Sequence, residues 1–206
     1  MTTTIHGIAR SRAIRTLWMA YELGIPFEHD QVGMGPDGCR SAAYLAINPN
    51  GHIPALTDDG LVLWESLAIN LYLAKKAGGK LAPANLAEDG LMTMWSVWMV
   101  TEMEPHAAVA LYNTTSYAPE KRDPAAVVRA LEALKAPLNV LEGALVKGGG
   151  YLVGRRFTVA DLNGVCVAFY LRSTPQALAD KPAIRAWYEA GLARPAAKRA
   201  WALRGE

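Results

Sequence analysis

Asn48-Pro49-Asn50-Gly51-His52-Ile53-Pro54-Ala55-Leu56, followed across Thr57-Asp58-Asp59-Gly60 by Leu61-Val62-Leu63-Trp64-Glu65-Ser66, reads as a loop, a strand, a tight turn, a second strand and a helix start. Asn48 to Gly51 has the composition of a turn that needs unusual backbone angles. Pro54 lies at the entry to Ala55-Leu56-Thr57, and a proline is tolerated in a strand only at an edge or at the first position. A trans proline satisfies that pattern. A cis Ile53-Pro54 bond satisfies it too, and would leave the N–H and C=O of Ile53 free to pair with another extended peptide. Asp58-Asp59-Gly60 closes a hairpin. After it, Glu65 and Ser66 open a helix whose apolar positions Leu67, Ile69, Leu71, Tyr72 and Leu73 are too dense for a solvent-exposed element. The pair reads equally as a helix cap or as a small ligand site, with the Ser66 hydroxyl and helix N–H groups for a carboxylate and Glu65 for an ammonium.

Upstream, Thr3-Thr4-Ile5-His6 has β character and ends at Gly7. Ser11 introduces a run with Ile14, Leu17, Trp18, Tyr21 and Leu23 at helical spacing. Gly24-Ile25-Pro26 stops it, and Phe27 to Val32 alternates as a second strand. The order strand, helix, strand begins an α/β unit with parallel pairing.

The run NPNGHIPAL, the Glu65-Ser66 pair and the helix after them resemble the glutathione-binding half of the cytosolic glutathione transferases. The resemblance implies a thioredoxin-like domain in which Ile53 and a cis Pro54 pair with the cysteinyl unit of glutathione. Glu65 and Ser66 would hold its γ-glutamyl end. His52, standing where relatives often carry Lys or Gln, is expected to touch the tripeptide as well. Gly7-x-x-x-Ser11 with Arg15 is similar to the serine-type, bacterial-like branch, and no Tyr or Cys lies in the first strand-helix loop. Ile8, Ala9 and Arg10 replace the small residue and proline usual after the glycine.

On that resemblance Ser11 is the expected catalytic residue, at the N-cap of the first helix, where its hydroxyl and the free N–H groups converge. A free thiol has a pKa of about 8.5, and a hydroxyl donor beside a positive helix end favours the thiolate. Arg10, Arg12 and Arg15 would add positive potential. The same serine also fits a purely structural N-cap.

The second half changes character after the breaker Ala77 to Pro83. The expected division is 1–78 for the thioredoxin-like domain, 79–86 for a linker and 87–206 for an all-helical domain. Leu91 to Tyr112 is a helix rich in Met and Trp, bent at Pro105. Asp123-Pro124 to Val146 is a second long helix with a kink at Pro137, ended by Gly148-Gly149-Gly150. Thr158-Val159-Ala160-Asp161 is a capping box opening a run to Leu171 that is apolar on nearly every side, hence a buried helix. The family carries a similar box in a structural role. By resemblance an apolar electrophile would sit between the halves, against Ala9, Arg10, Met103, His106 and Tyr112, with Met99 and Tyr117 as further candidates.

The chain has 206 residues and a net charge of +2, which gives no reason to expect nucleic acid. It has no uncharged apolar run long enough for a membrane span and no secretion signal. Cys39 and Cys166 match no metal or redox spacing, so no metal is expected. The expectation is a cytoplasmic homodimer of detoxification type, taking glutathione as co-substrate. The alternatives are a glutathione-dependent isomerase or peroxidase at the same site, and a non-catalytic protein that binds glutathione or an apolar ligand.

Overall fold

The computed structural model describes residues 3–205. In chain order the elements are β1 (Thr3–His6), α1 (Ala13–Leu23), β2 (Glu28–Asp30), α2 (Ala42–Leu45), β3 (Ala55–Asp58), β4 (Leu61–Trp64) and α3 (Ser66–Ala77). These are followed by α4 (Leu86–Trp98), α5 (Glu104–Leu111), α6 (Pro124–Lys147), α7 (Val159–Ala168), α8 (Pro182–Leu192) and α9 (Pro195–Ala202). One compact unit comprises Met1–Ala82 with Ala193–Glu206, and the other Pro83–Leu192.

In the first unit the strand order is β2-β1-β3-β4. β1 and β2 run parallel, while β3 is antiparallel to both β1 and β4. Ile5, Leu17, Trp18, Leu56, Ile69 and Leu73 form the core and are essentially inaccessible. Gly24 ends α1 in the left-handed conformation, which glycine adopts without steric cost. Buried Asp58 ties three elements together, accepting from Thr3 Oγ1 at 2.7 Å, Tyr72 Oη at 2.7 Å and Lys76 Nζ at 2.6 Å. Burial by itself would raise that carboxyl, but the donors outweigh it and hold Asp58 below its usual value.

The expected division placed everything after residue 87 with the helices. The structure instead returns α9 to the first unit. Trp201 packs edge-on against Trp18 with ring centres 5.4 Å apart, and Arg194 holds Glu22 through bonds of 2.6 and 2.8 Å. Arg199 lies 4.2 Å above the Tyr21 ring. Trp18 and Tyr21, two of the apolar positions of α1, therefore pack against α9.

In the second unit α4 starts at Leu86, earlier than expected, because Asn85 caps it by accepting from the Glu88 N–H at 3.0 Å. The helix widens into a π turn over Met99–Met103 before α5 resumes with Pro105 in its first turn. A proline has no N–H and presses on the carbonyl four residues back, and a wide turn absorbs both defects. Asp123 caps α6 through Ala125 and Ala126, and Pro137 lies within one continuous helix. α7 is buried along its whole length, and its capping box is present as expected. It ends at Ala168 and continues as a 3₁₀ turn over Phe169–Ser173.

Asp161 does more than cap. It accepts from Thr158 N at 2.9 Å and Thr158 Oγ1 at 3.0 Å, and also from Leu152 N and Trp187 Nε1, each at 2.9 Å. Burial pushes its carboxyl up against those donors. Asn163 donates to Ser96 Oγ at 2.9 Å, and Ser96 to the Met92 carbonyl at 2.8 Å, joining α7 to α4 inside the core.

Candidate active site

Strand register decides which segments can meet. His6 pairs with Ala55, and Ala55 with Trp64, so the end of β1, the start of β3 and the end of β4 share one row of the sheet. The chain leaves that row at Gly7, enters it from Ile53-Pro54 and leaves it again at Glu65. Three segments far apart in sequence thus emerge at one edge. Gly7, at φ +129°, lies so close to Ile53 that an added Cβ would come within 2.9 Å of the Ile53 Cβ. Arg15 Nη1 reaches Ser66 Oγ at 3.4 Å, bringing α1 to the start of α3.

The Ile53-Pro54 peptide bond is cis. The loop before it is held from below: the His52 carbonyl accepts from Tyr44 Oη and from Asn48 Nδ2, both at 2.7 Å. Asn48 Oδ1 in turn accepts from the N–H of Asn50 at 3.1 Å. Burial pushes the Tyr44 hydroxyl up to about 12, so it stays a donor at neutral pH. Ile53 is half-buried and packs with Val32 and Ile47 on a small cluster of Cys39, Tyr44 and Ala55. The His52 side chain is exposed. Asn48 was legible as a turn residue, whereas Tyr44 carried no signal, since an isolated tyrosine in a short helix resembles any apolar residue.

Glu65 occupies the N-cap of α3 at φ 71° and ψ 104°, and its side chain makes no capping bond. A non-glycine residue held at positive φ is strained, and such strain concentrates at ligand sites. Its carboxylate is exposed, whereas Ser66 is buried, with the N–H groups of the first turn of α3 above it. That places an anion acceptor site and a cation acceptor side by side.

Ser11 lies one residue before the expected position. The N-cap of α1 is Arg12, in helical conformation and without a side-chain cap, because the chain already turns over Ile8–Ser11. The Ser11 hydroxyl donates to the Ile8 carbonyl at 2.7 Å and accepts from the Ala13 N–H at 3.1 Å. The serine is half-buried. Of the arginines expected to add charge, Arg10 and Arg12 are exposed while Arg15 is only 2% exposed. Of the three, only Arg15 is enclosed, at helical spacing four residues beyond Ser11.

Ala9 is buried and Arg10 exposed, both in the turn before Ser11. In the helical unit His106 is half-buried on α5, and Tyr112 packs near Tyr117 and Tyr170 at 5.7 and 6.4 Å between ring centres. Met103 and Met99 are fully enclosed in that unit's core. Among the described residues no group of three or more His, Cys, Asp or Glu is placed to hold a metal ion, and no helix is long and apolar enough to cross a membrane.

Two family models match this chain: glutathione S-transferase N-terminal domain over residues 10–76 and glutathione S-transferase C-terminal domain over residues 100–195. The chain is 34% identical to glutathione S-transferase 3 of Zea mays, with 89% of this chain and 85% of that protein covered. Among solved structures it is similar to glutathione S-transferase-I bound with lactoylglutathione, at 30% identity and a TM-score of 0.87, over 98% of this chain and 99% of that one. It is also similar to the theta class glutathione S-transferase of Xanthomonas axonopodis pv. citri with glutathione bound, at 31% identity and a TM-score of 0.84, over 96% of each chain.

Proposed function

The chain belongs to the glutathione S-transferase family and is a glutathione transferase, and from that premise we propose that Ser11 activates the sulfur of glutathione. The single observation that carries the proposal is the Ser11 hydroxyl, half-buried at the edge of the sheet where the Ile53-Pro54 and Glu65-Ser66 segments also emerge. At rest its hydrogen goes to the Ile8 carbonyl. Rotation about one C–O bond turns that hydrogen toward a thiolate, while the Ala13 N–H remains on the oxygen and polarises it. Ser11 acts as a donor and not as a base, since a serine hydroxyl takes up no proton near neutrality. The thiol proton goes to solvent.

The tripeptide is held by backbone and by charge. The extended backbone at Ile53, beside Pro54, pairs with the cysteinyl unit. Ser66 and the first N–H groups of α3 take the γ-glutamyl carboxylate, and Glu65 takes its ammonium. His52 faces solvent from a carbonyl pinned by Tyr44 and Asn48, and serves as a polar contact at the other end. The thiolate then attacks an electrophilic carbon, forming a carbon–sulfur bond as the leaving group departs or the adduct is protonated. Ala9 and Arg10, in the turn before Ser11, face that second substrate.

The enzyme acts as a cytoplasmic homodimer in this reading. Exposed Leu91, Met94, Val97 and Val100 recur every three residues on α4 and its extension, an apolar strip that a second copy would cover. A light-scattering mass of one chain at micromolar concentration would contradict it.

Ser11→Ala tests the chemistry. Turnover of a model electrophile should fall by roughly a hundredfold or more, with the glutathione Kd unchanged. Wild-type protein that binds glutathione yet turns over no member of an electrophile panel would instead be a binding module.

A further inference from the structure

The turn that presents Ser11 is gripped by a distant part of the chain. Ile8 and Ser11 close it, with the Ser11 N–H on the Ile8 carbonyl at 3.1 Å. Its two central residues, Ala9 and Arg10, are both bound to Arg204. Arg204 Nη1 donates to the Ala9 carbonyl at 3.2 Å, and Arg10 Nε donates back to the Arg204 carbonyl at 2.7 Å. Arg10 Nη2 extends the clasp to the Gly205 carbonyl at 3.5 Å. Arg204 is 9% exposed and Ala9 5% exposed, so one bond of the pair is buried.

Two features give this clasp a consequence beyond packing. First, Ile8-Ala9-Arg10 contains no proline to fix the backbone angles of its central residues, so beyond the Ser11 bonds to the Ile8 carbonyl those residues are held by contacts from outside the turn. Second, the carbonyl next to the one Arg204 holds is the Ile8 carbonyl, which carries the Ser11 hydrogen at rest. The clasp is itself firmly anchored, because α9 is fastened to α1 through Trp201 on Trp18 and Arg194 on Glu22.

We propose that Arg204 is a positioning residue for the transfer reaction: by fixing the Ala9 carbonyl it sets the direction of the Ser11 hydroxyl and thereby the acidity of the bound thiol. The proposal rests on Ser11 as the activating residue. Without the clasp the turn samples orientations in which the hydroxyl misses the sulfur, and the thiolate loses a donor. Binding of the tripeptide is untouched, since none of its expected contacts involves Arg204.

The test is the pH dependence of thiolate formation in the protein–glutathione complex, read by ultraviolet thiolate absorbance and by the acid limb of kcat/KM. For Arg204→Ala the midpoint should rise by about half a pH unit or more, equivalent to roughly a threefold loss of thiolate below it, with the glutathione Kd within about twofold of wild type. Arg204→Lys, which keeps one donor, should recover part of the shift. Ser11→Ala combined with Arg204→Ala should match Ser11→Ala alone. If Arg204→Ala does not fold, Arg10→Ala cuts the other side of the clasp and is read by thiolate absorbance of the glutathione complex alone, without electrophile, because Arg10 also faces the second substrate. A wild-type midpoint in the clasp variants, alongside a raised one in Ser11→Ala, overturns the positioning role and leaves Ser11 standing. An unshifted midpoint in Ser11→Ala removes both.

Discussion

Arg156 grips Glu88 with both prongs of its guanidinium, Nη1 on Oε1 at 2.9 Å and Nη2 on Oε2 at 2.6 Å, fastening the first turn of α4 to the loop before α7. The same carboxylate accepts the Ala84 N–H at 2.8 Å. Arg156 first and Ala84 second hold Glu88 at about 2, against 4.5 for an unperturbed glutamate. A carboxyl whose pKa falls on folding contributes stability above its unfolded value and loses it as pH drops through the folded one. Stability of the wild type should therefore decline from about pH 4.5 toward pH 2. Arg156→Met should flatten that part of the pH profile and cost about 1–2 kcal/mol at neutral pH, as measured by urea unfolding across the pH range.

Asp161→Ala strands donors from Thr158, Leu152 and Trp187 inside the helical unit. Each buried donor left unmade costs free energy, so the loss should be about 2–4 kcal/mol. Denaturant unfolding measures it, and a redder Trp187 emission should accompany it. Stability within about 0.5 kcal/mol of wild type would mean that water replaces the carboxylate.

Gly164→Ala should destabilise although alanine is the better helix former. A Cβ there would lie 2.7 Å from Trp187 Cη2 and 2.8 Å from Met99 Cε. Met99 can yield at its flexible end, but the indole is locked by its bond to Asp161. Overpacking of this kind costs about 1–3 kcal/mol. Gly143→Ala is the matched control, because an added Cβ in α6 meets nothing within 4 Å. It should stabilise by up to about 1 kcal/mol, and the two unfolding midpoints should move in opposite directions.

Glu65→Gly separates strain from binding. Glycine adopts φ 71° freely, so the unfolding midpoint should hold or rise. Loss of the carboxylate should weaken glutathione by about tenfold in Kd, the equivalent of one charge-assisted hydrogen bond of ~1.4 kcal/mol. Calorimetric titration with glutathione measures one effect and thermal unfolding the other.

Local structure is legible where both partners of an interaction lie within one short segment. The hairpin Ala55–Trp64, the stop at Gly24 and the Thr158–Asp161 capping box each depend on residues within a few positions of one another. Where the partner comes from far away in the chain, no such local signal exists. Arg15 reads no differently from Arg10 and Arg12 as a source of positive potential, yet it alone of the three is enclosed, beside Ser66. Ser11 was expected at a helix N-cap, but the turn that begins at Ile8 moves the cap to Arg12. α9 reads as one more helix of the second half, and its assignment to α1 depends on Trp18 meeting Trp201.

By itself the sequence determined the kinds of element and their order, because propensity and punctuation are properties of short segments. The order of Pro54, Glu65 and Ser66 along the chain raised the expectation of a ligand site there. Tertiary structure decided that His6, Ala55 and Trp64 share one row of the sheet, so that the segments bearing Ser11, Ile53 and Ser66 emerge together. It also decided that Arg204 closes on Ala9, nearly two hundred residues away in the chain. Strand register and helix docking are set by burial across the whole unit, and no local pattern of side chains carries that information.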